Sequence, residues 1–226
     1  VITHMTHPQQ VGCIKGRKMI RHIWGAKGGY DNMSSGIMIS FDYSNAFPSL
    51  SHPFIRAALN LIGLPDFIIN VIMSTLVSPY HFCIGRGVER TESFHPRTGI
   101  GQGDPFSPLL FSFCASLVLW RLKAVAGLQP YMYVDDLAGL IPGMRVATAL
   151  PALMEALKEF SLVSGLKLNL AKCGIVIKGD LPPEALAAIQ QSGIKIVKSV
   201  KYLGVKMGNI SPKEAFAASM AEAQRR

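Results

Sequence analysis

Acidic side chains stand at the ends of two apolar segments, where their type and spacing suit metal chemistry. Asp42 directly follows GIMISF at residues 36–41, and Asp135 and Asp136 interrupt the apolar decapeptide MYVDDLAGLI at residues 132–141. Hard divalent cations prefer oxygen ligands and offset the repulsion between carboxylates that converge from separate segments. We therefore expect Asp42 and Asp135 to form a ligand pair. Side chains alternate along a strand, so Asp136 joins this pair only where the turn bends the backbone.

The elements that carry these acids follow an irregular order of strands and helices. Alternating apolar residues at 36–41 predict a strand that ends on Asp42, and YMYV and LAGLI predict a hairpin whose turn holds Asp135 and Asp136. Further strands are predicted at 174–178 and 200–207, and a further hairpin at 80–94. Helical spacing predicts helices at 51–62, 66–77, 150–165 and 211–226, and one that follows the glycine-rich loop at 98–105. This mixed order favours an α+β fold, an antiparallel sheet with helices packed on one face.

Composition limits the classes of protein to which the chain can belong. Its 226 residues are 49% hydrophobic, which is enough to bury a sizeable core. The net charge is +9, and the first 30 residues contain no acid. A polyanionic partner explains this basic excess, and a solvated basic face explains it equally well.

The four cysteines and the apolar segments indicate neither a metal-binding cysteine motif nor a membrane span. The cysteines lie far apart without a CxxC pattern, which fits a reducing compartment such as the nucleus or the cytoplasm. The longest uncharged apolar stretch, residues 105–120, is shorter than the ~20 residues that a membrane span needs. The chain begins with Val1, and its last predicted helix has no stop signal, so we expect a fragment of a longer protein.

An Asp-Asp pair by itself is also typical of an exposed turn, so YVDD needs support from other segments. Four stretches in one order together resemble the palm of reverse transcriptases. They are FDYSNAF at 41–47, GIGQGDPFSPLLF at 99–111, YVDD at 133–136 and GLKLNLAKC at 165–173. QQVGCIKGR at 9–17 resembles a finger motif of that family, and YLGV at 202–205 resembles its primer-grip hairpin. The resemblance is to the enzymes of non-LTR retrotransposons and group II introns.

This resemblance implies an RNA-directed DNA polymerase, a nucleotidyltransferase that extends a primer 3′-hydroxyl by in-line phosphoryl transfer. Two Mg²⁺ ions, or Mn²⁺, about 3.5–4 Å apart would stabilise the attacking and leaving oxygens. Asp42, Asp135 and Asp136 match the metal-binding acids of the family. Lys172 matches a lysine suited to protonate the departing pyrophosphate, and its alternative interpretation is a surface lysine.

The resemblance also implies partners: an RNA template, a DNA or RNA primer and deoxynucleoside triphosphates. Residues that match the family's nucleotide and template contacts are Lys15, Arg17, Tyr43, Phe47, Gln102 and Gly103. Residues that match its primer contacts are Tyr202, Leu203 and Gly204. Phe47 has two interpretations: a core aromatic, or a steric gate whose ring excludes the ribose 2′-hydroxyl.

The motifs divide the chain into four parts, and two other functions compete with this one. We expect partial fingers at 1–35, the palm at 36–196, the primer-grip hairpin at 197–210 and the start of a thumb or a following helix at 211–226. One alternative is a catalytically retired palm that binds nucleic acid as a scaffold, although such a domain would be expected to lose its metal acids. The other is an RNA-dependent RNA polymerase, against which Phe47 and the tyrosine of YVDD argue.

Overall fold

A five-stranded sheet, with its strands in the order β2-β3-β1-β4-β5, forms the centre of the protein. The computed structural model describes residues 1–77, 95–101, 103–211 and 213–217. The strands are β1 (Gly36–Phe41), β2 (Gln129–Tyr133), β3 (Asp136–Pro142), β4 (Gly174–Lys178), β5 (Lys195–Ile196), β6 (Ser199–Tyr202) and β7 (Val205–Gly208). All neighbours in the large sheet are antiparallel except β4 and β5, and β6 and β7 form a separate antiparallel hairpin. The predicted strand at 36–41 is therefore the central strand of the sheet.

Helices connect and cover the strands. They are α1 (Ile2–Met5), α2 (Met19–Asn32), α3 (Ala46–Ser49), α4 (His52–Leu61), α5 (Asp66–Leu76), α6 (Ser107–Leu122), α7 (Gly143–Ser164) and α8 (Pro183–Gln191). None of the helices in these described ranges is long and apolar enough to cross a bilayer. Residues 213–217 are also helical, within the helix predicted at 211–226. The hairpin predicted at 80–94 lies outside the described residues.

One face of the sheet packs against α4 to α8 in the larger hydrophobic core. Ile37, Ile39 and Phe41 project from β1 into this core, because alternate side chains of a strand point to the same face. The helix α6 is apolar on almost every side and is buried along most of its length, as such helices usually are. The core therefore fixes the strand that ends on Asp42 against the best-buried helix of the described chain.

The second face of the sheet is covered as well, so the prediction of helices on one face was incomplete. The helix α2 and the β6–β7 hairpin pack there around Met38, Tyr131 and Tyr202. We did not predict α2 because three glycines weaken its helical signal. Two of them allow close packing: a Cβ at Gly25 would lie 3.1 Å from the Tyr131 ring, and one at Gly29 would lie 2.6 Å from a Leu140 methyl carbon.

The helix α7 begins at Gly143 and not at residue 150, as the sequence had predicted. Proline is favoured in the first turn of a helix, and Pro151 would stand there in a helix that begins at residue 150. In the structure Pro151 lies inside the helix, although an interior proline costs about 3 kcal/mol. Val146 and Leu150 continue the buried stripe on the N-terminal side of the proline. Burial of this stripe compensates for the lost backbone hydrogen bond.

A truncation in the central strand tests this account of the core. Ile39 is fully buried in the larger core, so Ile39→Ala should lower the free energy of unfolding by about 2–5 kcal/mol. The control is Val163→Ala on α7, where the side chain is 58% exposed and the change should stay within about 0.5 kcal/mol. Chemical denaturation of both variants measures the difference. Equal effects would mean that the packing of β1 against the helices is not as described.

Candidate active site

The register of the sheet brings the predicted acids to one end of it. Phe41, the last residue of β1, pairs with Leu137 of β3, so Asp42 and Asp136 are the next residues at that end. Asp136 in turn pairs with Tyr133 of β2 across a two-residue turn. The hairpin turn predicted for YVDD is therefore confirmed. It lies beside the end of the strand that delivers Asp42.

The turn bends the backbone at its first residue. Val134 has a φ of 56°, a left-handed conformation that is rare for a β-branched residue and costs about 1–3 kcal/mol. Asp135 follows this bend in the turn, and Asp136 begins β3. The sequence analysis requires such a bend if the neighbouring carboxylates of Asp135 and Asp136 are to point toward one site. The structure contains this bend at Val134.

Burial raises the pKa of the Asp135 carboxyl, its own backbone N–H opposes this increase, and the charge of Asp42 adds to it. The pKa of Asp136 is raised by loss of hydration and then by the charges of Asp135 and Asp42, and Lys201 lowers it. All three carboxylates therefore act on one another. Their negative charge is only partly neutralised by the protein.

The segment that follows α7 fixes Asp42. The backbone N–H of Asn169 donates to the Asp42 carbonyl at 2.8 Å, and Tyr43 bridges Leu168 in an antiparallel arrangement. The Oδ2 atom of Asp42 is buried without a hydrogen-bond partner, and the Lys172 ammonium lies 3.7 Å from it. Lys172 is largely exposed, so water screens this ion pair and a stronger cation can replace it.

A cavity of about 310 Å³ opens beside these acids and contains two lysines that the sequence analysis missed. Asp42, Asp136 and Lys172 line it together with Lys195 and Lys201. A larger cavity of about 560 Å³ between α1, α5 and the start of α6 has mostly apolar walls and lacks the paired acids. The alternation of residues along β6 was a sequence signal that could have identified Lys201. Its neighbours Val200 and Tyr202 both point into the core, so the Lys201 side chain points the other way.

The donor set fits a divalent cation that takes part of its coordination from elsewhere. Within the described ranges, no three His, Cys, Asp or Glu side chains are placed to hold an ion by themselves. Magnesium is usually held by one or two carboxylates together with water and substrate phosphates, so it does not require three. The Oδ2 of Asp42 has no hydrogen-bond partner and only a solvent-screened ion pair with Lys172, and burial raises the pKa of Asp135, so both carboxylates have unused capacity to bind a cation.

Tyr43 and Phe47 follow Asp42 in the chain and both pack in the larger core. The Phe47 ring is half-buried and stacks on Phe111 with the ring centroids 4.3 Å apart. Tyr43 is buried, its hydroxyl has no hydrogen-bond partner, and burial raises its pKa. Phe47 thus belongs partly to the core and partly to the surface, and this position fits both of its interpretations.

The glycine-rich loop runs beside Phe47. The backbone N–H of Ile100 donates to the Phe47 carbonyl at 3.0 Å, and Gly99 donates to the Leu50 carbonyl at 2.7 Å. Gly103 is exposed with a φ of 104°, a conformation that glycine adopts most readily. Gln102 lies outside the described residues, so its nucleotide contact stays a prediction.

Lys15 and Arg17 differ sharply in their surroundings. Lys15 is exposed and points to solvent, as a residue that contacts phosphate would. The Arg17 guanidinium instead donates hydrogen bonds to the backbone carbonyls of Thr6, His7 and Gln10. Its planar fork is occupied by the protein, so in this conformation it stabilises the preceding loop and offers little to a phosphate.

The predicted primer-binding residues occupy the turn of the β6–β7 hairpin. Leu203 and Gly204 form this turn with φ values of 50° and 82°. The Tyr202 side chain is 1% exposed and packs in the second core, with its hydroxyl 3.5 Å from His22 Nδ1. A primer contact by Tyr202 itself would require its backbone, because the ring faces the sheet. The exposed neighbour Lys201 is the better placed side chain.

Solved structures of low sequence identity share this fold. Telomerase from Candida albicans, in complex with a fragment of telomeric RNA, matches 95% of this chain with 39% of its own chain, at a TM-score of 0.64 and 12% identity. Apo telomerase from Candida tropicalis, truncated from its C-terminal domain, matches 84% of this chain with 37% of its own, at a TM-score of 0.61 and 13% identity. At such identities the likeness concerns the fold alone.

Curated relatives come from retrotransposable elements. The Pol polyprotein of the type-2 element R2DM of Drosophila melanogaster is 28% identical over 190 residues, which cover 78% of this chain and 18% of that protein. The Pol polyprotein of a type-1 element R2 of Popillia japonica is 27% identical over 192 residues, which cover 74% of this chain and 30% of that protein. This chain therefore spans less than a third of the length of these relatives.

A family model covers most of the chain and agrees with these relatives. Its description is reverse transcriptase (RNA-dependent DNA polymerase), and it matches residues 1–207. That range includes the three acids, the glycine-rich loop and the β6–β7 hairpin up to Met207. The resemblance noted from the sequence motifs is confirmed. The chain belongs to the reverse transcriptase family, and its relatives are of the non-LTR retrotransposon type.

Proposed function

We propose that this chain is the catalytic part of an RNA-directed DNA polymerase that adds deoxynucleotides to a primer 3′-hydroxyl. The observation that carries the proposal is the convergence of Asp42, Asp135 and Asp136 at one end of the sheet, with a mutual repulsion that Lys172 and Lys201 relieve only in part. Family membership supplies the reaction class. The site supplies the charge that in-line phosphoryl transfer requires.

Asp42 and Asp135 are the proposed ligands of two Mg²⁺ ions, with Mn²⁺ as a substitute, and Asp136 is the weaker third ligand. Bound in this way, the ions would stabilise the charge that develops on the attacking and leaving oxygens. The Lys172 ammonium lies 3.7 Å from Asp42 and therefore stands beside the proposed metal site. From there we propose that it donates a proton to the departing pyrophosphate. Its exposure leaves it free to move from Asp42 to the phosphates.

The proposed partners are an RNA template, a DNA or RNA primer and deoxynucleoside triphosphates. The charge of +9, and Lys195 and Lys201 beside the acids, support binding to a phosphate backbone by a mode that does not depend on sequence. Gly103 and Lys15 are proposed on the nucleotide and template side, and Leu203 and Gly204 on the primer side. A retired scaffold would not retain three acids at such an electrostatic cost.

The proposed division of the chain is fingers at 1–35, palm at 36–196, primer-grip hairpin at 197–210 and the start of a thumb or a following helix at 211–226. The helix α2 shares the second core with β2, β3 and the β6–β7 hairpin. This part of the fingers is therefore anchored directly on the palm. The β6–β7 hairpin packs on the same face, which holds the primer side of the site close to Asp136.

Loss of a metal ligand tests the proposed chemistry. In the full-length protein, Asp135→Asn should reduce primer extension on an RNA template more than about 100-fold, because even outer-shell partners of metal ligands cost 10–100-fold. Binding of the primer–template should change little. The control is Asp180→Asn, an exposed acid outside the site, which should extend normally. Parallel loss of binding and extension in Asp135→Asn would indicate misfolding and would not support the proposal.

The raised pKa of Asp135 makes a prediction about stability. An acid whose pKa is higher in the folded state than in the unfolded state destabilises the fold as the pH rises from the unfolded-state pKa to the folded-state pKa. Without metal, Asp135→Asn should therefore raise the melting temperature at neutral pH, and this gain should vanish below the ordinary aspartate pKa of 3.8. Added Mg²⁺ should stabilise the wild type and not the variant. A wild-type melting temperature that does not change when Mg²⁺ is added would contradict the proposed site.

Truncation of Phe47 separates its two interpretations. If the ring excludes the 2′-hydroxyl, Phe47→Ala should raise ribonucleotide incorporation relative to deoxynucleotide incorporation. If the ring only packs on Phe111, the variant should lose stability, at most about 3–5 kcal/mol, with its sugar preference unchanged. Phe54→Ala is the matched control, because Phe54 is also half-buried and contacts one aromatic ring, that of Phe160. Incorporation rates and melting curves of both variants decide between these outcomes.

A further inference from the structure

Gln10 connects the start of the chain to the turn that carries two of the acids. Its side chain is fully buried. Its Nε2 donates to the Val134 carbonyl at 2.9 Å, and its Oε1 accepts from the Val134 N–H at 2.8 Å and from the Gly12 N–H at 2.9 Å. One amide therefore satisfies both backbone groups of the first residue of the turn.

Val134 needs such a partner because of its conformation. With a φ of 56° it lies outside the region that valine prefers, and it stands between the last residue of β2 and Asp135. A buried backbone N–H or carbonyl without a partner is costly, so the left-handed turn is stable only where another group satisfies it. Gln10 supplies that group from 124 residues away in the sequence.

The backbone around Gln10 holds its side chain in place. Gln10 forms a parallel bridge with Met132, in which the Val11 N–H donates to the Met132 carbonyl and the Met132 N–H donates to the Gln9 carbonyl. Residues 9–11 thus run along β2 as an additional short strand. The register of this pairing places the Gln10 amide opposite the turn.

Gly12 and Arg17 complete the arrangement. A Cβ at Gly12 would lie 2.4 Å from the Val134 nitrogen, so only glycine lets the two backbones approach this closely. The Arg17 guanidinium, which donates to the Gln10 carbonyl at 2.6 Å, ties the loop before Gln10 to the residues after it. The motif QQVGCIKGR thereby acts on the catalytic turn through contacts within the protein.

We propose that Gln10 is a positioning residue that holds the Val134 turn and thereby directs Asp135 and Asp136 toward the end of β1. The proposal rests on the proposed polymerase function of these acids. Gln10 acts through Val134 and touches neither substrate nor metal. A side chain of similar length without the amide would leave the turn free to relax to an ordinary backbone conformation and to turn the carboxylates away from Asp42.

The test compares Gln10→Met with Gln9→Met in the full-length protein. Methionine matches the length of glutamine but forms none of its three hydrogen bonds, and Gln9 is a half-buried neighbour whose side chain forms no hydrogen bond within the described part of the chain. Amide hydrogen exchange at Val134 should be at least tenfold faster in Gln10→Met and unchanged in Gln9→Met. The kcat of primer extension should fall at least tenfold in Gln10→Met alone, with the Kd for primer–template within twofold of the wild type.

A second variant keeps the test decisive if Gln10→Met unfolds. Gln10→Glu retains the acceptor for the Val134 N–H but donates to the Val134 carbonyl only while its carboxyl is protonated, so its kcat relative to wild type should fall as pH rises through the pKa of this buried carboxyl and recover below it. A folded Gln10→Met variant with wild-type kcat would overturn the proposal, as would a Gln10→Glu variant whose kcat relative to wild type stays constant with pH, or equal effects of the Gln9 and Gln10 variants.

The exchange measurement separates this proposal from the proposed function. If the wild type extends no primer, the polymerase assignment fails, while faster exchange at Val134 in Gln10→Met still shows that Gln10 holds the turn. If the wild type is active and Asp135→Asn is inactive, yet Gln10→Met exchanges and extends as the wild type does, only the positioning role fails.

Discussion

Repulsion between three carboxylates at one end of a sheet is the constraint on which the rest of this structure depends. The charge of Asp42 adds to the raised pKa of Asp135 and of Asp136, and among the described residues the cations of Lys172 and Lys201 oppose the negative charge. Such an arrangement destabilises the fold unless a cation binds. The remainder of the domain must therefore supply enough packing energy to hold the acids together before any substrate or metal arrives.

Two hydrophobic cores supply that energy from opposite faces of the same strands. The larger core fixes β1 through Ile37 and Ile39, and the smaller one holds the opposite face through Met38. Because alternate residues of one strand project into the two cores, a shift of β1 by one residue would move each buried side chain into the other core, where it does not fit the packing. The position of Asp42 at the end of β1 is thus determined by residues that have no chemical role.

Strain is concentrated where the chemistry requires it. Val134 adopts a left-handed conformation at the turn. The hydrogen bond from Val134 to Gln10 and the close approach of Gly12 stabilise this conformation. Strained backbone at a functional site persists only when its surroundings over-determine it. The basic first segment therefore contributes rigidity to the acidic hairpin as well as charge, and Arg17 belongs to this support because its guanidinium binds backbone carbonyls.

The sequence by itself determined the local elements and the identity of the acids. Period-two alternation identified β1 and the YVDD hairpin, and helical spacing identified α4, α5 and α6, because these signals depend on neighbours a few residues apart. Only the tertiary structure revealed α2 on the second face, the continuation of α7 through Pro151, the burial of Tyr202, the hydrogen bonds of Gln10 and Arg17, and the place of Lys201 beside the acids. Each of these depends on contacts between residues far apart in the chain, where long-range packing outweighs local preference.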